Sequence, residues 1–229
     1  MQAAPLFHKP VALVVFLENV GHIAGVKLPQ WVMNVIDFVT EEYAKLLLRV
    51  LGAHRRYDKV IILEDDQANG KMLSETLLAT SRTHRIDVLL LVHGHTGQLV
   101  GYRGKQWVGP ETFGPLCDAC GQAPETLDLR MVYGVNCYGY SLTNTWRTMG
   151  AKVVNGAVGV NWLPEPSLSV FLFNWLHGTP YSEAVQRANH TANRFWQRIW
   201  RPTPEGKPHD FILSSRQVIV GAGDITINS

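Results

Sequence analysis

Short, mostly unbroken apolar runs recur along the chain: Val11–Leu17, Val60–Leu63, Ile86–Val92, Leu129–Val135, Lys152–Val160 and a last one at Gln217–Val220. Alternation of apolar and polar residues would mark strands with one wet face. Continuous apolar runs mark parallel strands covered on both faces. Between the runs the period changes. Val32, Val35, Ile36, Val39, Tyr43 and Leu47 fall on one helix face, as do Ala184, Ala188, Ala192 and Phe195 after a Thr179–Pro180 start that suits a helix N-terminus. Strand and helix in alternation predict an α/β fold on a mostly parallel, doubly wound sheet. In such sheets the reactive groups gather beyond the carboxyl ends of the strands.

Two stretches break the alternation. Gly94 to Pro124 is rich in Gly and Pro with little periodicity, and reads as a long loop with at most a short hairpin. Arg201 to Pro208 (RPTPEGKP) reads as a Pro-rich surface connector. There is no internal repeat and no shift of composition, so residues 1–229 read as a single domain.

Composition narrows the function. At 229 residues, 46% hydrophobic and 17% charged, the chain can bury a sizeable core, which excludes a disordered or fibrous protein. The charge, 21 Lys+Arg against 19 Asp+Glu, is +2 with no long basic run, so no nucleic-acid partner is expected. No stretch is long enough for a membrane helix, and Val11–Leu17 is followed at once by Glu18 and Asn19, unlike a signal peptide. No membrane association and a cytoplasmic location are the expectation. Three cysteines make no disulfide framework; an odd count fits a reducing compartment or a working thiol.

Two strand ends carry chemistry. The run through Val92 leads into His93-Gly94, and the run through Val135 leads into Asn136-Cys137-Tyr138-Gly139. If these strands are neighbours, about 5 Å apart, a thiol and an imidazole form a Cys/His pair at one sheet end. His95 shares its side of an extended backbone with His93. His93 is preferred because it directly ends the apolar block, which leaves His95 as a substrate-side or loop residue.

The blocks VLLLVHG (88–94) and MVYGVNC (131–137), 44 residues from His93 to Cys137, resemble the caspase–gingipain–legumain group of cysteine peptidases, including the caspase-like CHAT domains. AKVVNGAVGVNW (151–162) looks like the group's next core strand, and GTPYSEAVQRA (178–188) is similar to the small-residue helix that follows it in CHAT-like members. The resemblance covers roughly residues 86–195. It implies a three-layer αβα sandwich with a sheet of about six strands. It implies Cys137 as nucleophile, His93 as general base or acid, and the N–H groups of Gly94 and Cys137 as an oxyanion site. Glu18, Asn19, Val135, Asn136, Asn161, Trp162 and Glu165 would line the substrate pocket. The carboxylates favour a basic side chain there, and Val135 with Trp162 an apolar one. A protein or peptide substrate, a regulatory protein partner and no cofactor complete the expectation. Asn136 stands where many members have a small residue, and Val135 where several have a polar one.

Other readings compete. Cys117 and Cys120 form a CxxC in the long loop, a plain pair or half of a metal site that His93 and His95 would complete. Glu64, Asp65 and Asp66 suit a hard cation such as magnesium or calcium, or else a solvated turn leading through Asn69-Gly70 into a helix. An α/β-hydrolase-type esterase would use the HGHTG segment as an oxyanion loop and His177, His190 or His209 as base; Val135 is too large for its nucleophile turn. A non-catalytic interaction module on the same scaffold is the third alternative.

Overall fold

Every one of the six apolar runs folds as a strand. The structure, a computed structural model, describes residues 9–18 and 42–229. Its strands are β1 (Val11–Leu17), β2 (Lys59–Leu63), β3 (Arg85–Leu91), β4 (His93–His95), β5 (Gln98–Val100), β6 (Trp107–Val108), β7 (Leu129–Gly134), β8 (Val153–Ala157) and β9 (Gln217–Gly221). Six of them form the central sheet in the order β2-β1-β3-β7-β8-β9. All neighbours run parallel except β9, which is antiparallel to β8.

The inner strands are apolar throughout because each feeds two cores. Val14, Phe16, Val88, Leu90 and Val132 face one side; Leu13, Val15, Leu89, Met131 and Tyr133 face the other. The α-helices among the described residues are α1 (helical over 42–50), α2 (Ala53–Arg56), α3 (Gly70–Ser81), α4 (Pro110–Gln122), α5 (Thr143–Thr148), α6 (Pro164–Leu176), α7 (Tyr181–Trp196) and α8 (Asp210–Ser214). Helices α3, α4 and α5 cover the first face through Leu73, Leu77, Phe113, Leu116 and Trp146. Helices α1, α6 and α7 cover the second through Leu48, Phe171, Trp175, Tyr181 and Ala184. This is a three-layer αβα sandwich.

Of the expected helix face over 32–47, Val32, Val35, Ile36 and Val39 lie outside the described residues; Tyr43 and Leu47 are in α1. The later face is α7, with Ala184, Ala188 and Ala192 buried and Phe195 exposed.

The long-loop reading of Gly94 to Pro124 is corrected. That stretch holds a three-stranded antiparallel sheet, β4-β5-β6, and the four-turn helix α4. Pro110 sits at the first helical position, where a missing N–H costs nothing. Phe113, Leu116 and Cys120 then recur at i, i+3 and i+7 to give a buried face. Pro115 inside the helix and Gly114 and Gly121 within it mask that period.

Candidate active site

Register places the two strand ends side by side. Leu90 of β3 pairs with Gly134 of β7, and the Val135 N–H donates to the Leu90 carbonyl at 3.2 Å. His93 and Cys137 each follow that pair by three residues. The chain then turns sharply. A Cβ on Gly94 would collide with the Cys137 carbonyl oxygen, so the backbone of β4 lies directly against the residue after Asn136.

The turn is over-determined. Tyr138 sits in the left-handed region at φ 53, unusual for a bulky side chain. Its N–H donates to the Gly159 carbonyl at 2.7 Å, and its own carbonyl accepts from the Ser141 hydroxyl at 2.6 Å. Such strain persists where surrounding bonds hold it. Space for the turn comes from Asn155 on β8. Its side chain accepts from the Gly134 N–H at 2.9 Å and donates to the Gly134 carbonyl at 3.1 Å, replacing the strand ladder where β7 leaves β8. Gly139 then packs on Gly156, where any side chain would strike the Gly139 backbone.

The Cys137 sulfur accepts the Asn161 N–H at 3.4 Å. Burial pushes its thiol up from the ordinary value; the N–H groups of Asn161, Cys137 and Gly94 pull it the other way without overcoming burial. Main-chain N–H groups thus surround a thiol that burial makes harder to ionise.

The expected pocket residues divide. Asn161 lies beside the thiol; its amide donates to the Val135 carbonyl at 2.7 Å, and its Oδ1 accepts from the Leu163 N–H at 3.0 Å. Trp162 stacks on Phe211 at 4.3 Å between ring centres, so one flank of the site is aromatic. Val135 is half-buried against the second core. Asn136 is only 2% exposed, wedged among Gly94, Gly134 and Gly139, a spacer within the turn. Glu18, 3% exposed, accepts the Arg103 N–H at 2.6 Å and so holds the β5–β6 connection. Glu165 turns toward Ser169, whose hydroxyl donates to it at 2.6 Å, and burial raises its carboxyl. Asn19 lies outside the described residues. His95 stands on β4, exposed, near the Tyr138 and Trp107 rings.

The competing groups lie elsewhere. Cys117 and Cys120 are on α4, not in a loop, and donate to the carbonyls of Thr145 and Met149 at 3.8 and 3.7 Å. Burial raises both thiols. Glu64 pairs with Lys45 at 2.9 Å, Asp65 and Asp66 form a 3-10 turn, and the Asn69 side chain caps α3 by accepting from the Met72 N–H. Among the described residues, no group of three His, Cys, Asp or Glu is spaced to hold a metal ion. His177 Nδ1 contacts the Phe173 carbonyl of its own helix, and His209 caps α8. Among the described residues no helix is long and apolar enough to cross a membrane.

The fold is found in solved structures. The Arg-specific cysteine proteinase gingipain R superposes over 95% of this chain with a TM-score of 0.58 at 12% identity. The fold is caspase-like. The complex of RgpB pro- and mature domains from Porphyromonas gingivalis matches equally well, with a TM-score of 0.58 at 12% identity over 95% of this chain. A secreted C11 cysteine protease from Bacteroides thetaiotaomicron, bound to an irreversible peptide inhibitor, matches over 93% with a TM-score of 0.50 at 10% identity. This chain spans about half of the gingipain chains, 47% and 48%, and 66% of the C11 chain. No protein-family model and no curated protein matches it. Tyr138, Ser141 and Asn155 shape the turn that carries Cys137, a part that no single motif in the sequence announces. Asn155-Gly156 inside a strand run and Tyr138-Gly139 after the thiol were the available signals, since both dipeptides interrupt an apolar pattern.

Proposed function

We propose that this chain is a cysteine endopeptidase that hydrolyses peptide bonds of a protein substrate through Cys137 and His93. The observation that supports the reading is the Leu90–Gly134 register, from which both residues follow at the same offset, just beyond the ends of adjacent parallel strands. His93 takes the Cys137 proton as the sulfur attacks the scissile carbonyl carbon. The carbonyl oxygen becomes an oxyanion that accepts from the N–H groups of Gly94 and Cys137, donors worth several kcal/mol in such sites. The C–N bond then breaks, His93 protonates the departing amine, and a thioester remains. Water, deprotonated by His93, hydrolyses it and restores the thiol. The residue before the scissile bond lies toward Asn161 and Trp162. A regulatory protein partner is in keeping with the solved RgpB complex of pro- and mature domains, and the single-domain reading and a cytoplasmic setting go with this proposal.

The test is labelling with peptide electrophiles varied at the residue before the warhead, the modified cysteine being located by mass spectrometry. Cys137 is labelled in preference to Cys117 and Cys120, and His93→Ala lowers the labelling rate by about a hundredfold or more. Equal labelling of all three thiols, or full reactivity in His93→Ala, refutes the assignment.

A further inference from the structure

The small sheet that begins at His93 has two unlike faces. Leu99 and Val108 pair across β5 and β6 and are fully buried. Side chains alternate along a strand, so the neighbouring row across all three strands, His93–Val100–Trp107, points the other way, together with the pair His95–Gln98. On that face Trp107 is 54% exposed. The His95 ring lies 6.3 Å from the Trp107 ring, edge-on, and 6.0 Å from that of Tyr138, the residue after Cys137. An aromatic wall therefore starts beside the thiol and shares a face with the imidazole.

We propose that His95, Trp107 and Tyr138 form the subsite for the residue that follows the scissile bond, and that it takes an aromatic or large aliphatic side chain. This deepens the peptidase reading and rests on it. When the C–N bond breaks, the leaving nitrogen receives its proton from His93, so the departing half of the substrate passes over the His93 face. Trp107 lies two strands from His93, about 10 Å between backbones, a gap that the Trp107 indole and one large bound side chain span between them. The outward row presents His95, Gln98, Val100 and Trp107, with no carboxylate, lysine or arginine among them to pair with a charged side chain. The wall is also held in place before anything binds. The Gly97 N–H donates to the Ser141 hydroxyl at 2.8 Å, and that hydroxyl donates to the Tyr138 carbonyl, tying the hairpin to the thiol's turn. Little ordering is left to oppose binding.

The experiment uses the full chain and internally quenched peptides built on the sequence of the best-labelling electrophile, with Phe, Leu, Gly or Asp after the scissile bond. The electrophile, which ends at the scissile carbonyl, probes the dyad separately. The Phe and Leu peptides are expected to give kcat/KM at least about tenfold above Gly and Asp, and Trp107→Ala to narrow this to about twofold. Labelled Cys137 with cleavage indifferent to that residue overturns the subsite and leaves the peptidase standing. So does a preference that survives in both Trp107→Ala and His95→Ala. Failure of both labelling and cleavage overturns the peptidase reading, and the subsite with it.

Discussion

Cys137 is subject to two opposed influences, burial and a ring of main-chain donors, and burial prevails. Its thiol is thus harder to ionise in the fold than in the unfolded chain, where the value is about 8.5. Without its base, the sulfur should show this directly. In His93→Ala, alkylation by iodoacetamide should rise with pH through a midpoint above that of a free cysteine, as followed by the rate of mass gain. The linkage runs the same way. A group whose folded value is raised contributes stability that is whole below the unfolded value and fades as pH climbs through the folded one. Two of the residues expected in the substrate pocket also hold the fold: Asn136 fills a gap among three glycines, and the Glu18 carboxylate anchors the backbone at Arg103.

Between elements, Glu165 joins helices α1 and α6. Its carboxylate accepts from Ser169, whose hydroxyl also meets the Tyr43 hydroxyl at 2.9 Å. Burial raises the Glu165 carboxyl, so the ionised form weighs against folding at neutral pH; the group's contribution is present at low pH and lost as pH rises through the folded value. Glu165→Gln is expected to raise the thermal midpoint at pH 7 by a degree or so, about 0.5 kcal/mol or less for a partly exposed group. The gain should disappear near pH 4, and a drop at pH 7 would contradict this account. At this scale the sequence was legible wherever burial on both faces wrote an apolar run, which is why the inner strands β1, β3, β7 and β8 could be read from it. It was not legible at α4, where Pro115 and two glycines obscure the helical period and packing on Trp146 decides the conformation. The strand-end position of His93 and Cys137 was readable because it follows from the runs themselves. The Asn155 bridge was not, because an amide inside a strand run carries no sign of which backbone it will replace.

Across the whole molecule, a buried charge pair ties distant segments together. Arg130 and Asp87 are both fully buried, joined by two parallel bonds of 2.8 and 2.6 Å. The Tyr57 hydroxyl donates to Asp87 at 2.8 Å and accepts from the Trp175 indole at 2.8 Å. Arg130 also donates to the Ile227 carbonyl at 2.7 Å. A buried pair adds little net stability over an apolar one, but breaking it strands a charge. Asp87→Ala should therefore cost about 3–5 kcal/mol in chemical denaturation, with Asp87→Leu/Arg130→Met recovering most of the loss. An Asp87→Ala cost under about 1 kcal/mol would show the pair to be far better hydrated than its burial indicates.

The reach of Arg130 to Ile227 also has a temporal side. The guanidinium finds that carbonyl 97 residues further along the chain, so during synthesis the sheet assembles around an arginine one of whose acceptors has not yet been made. Contacts of such long separation slow the final step of folding. A nascent chain halted before residue 227 should remain open to protease at β3 and β7, and close only once the Ile227 carbonyl is available to Arg130.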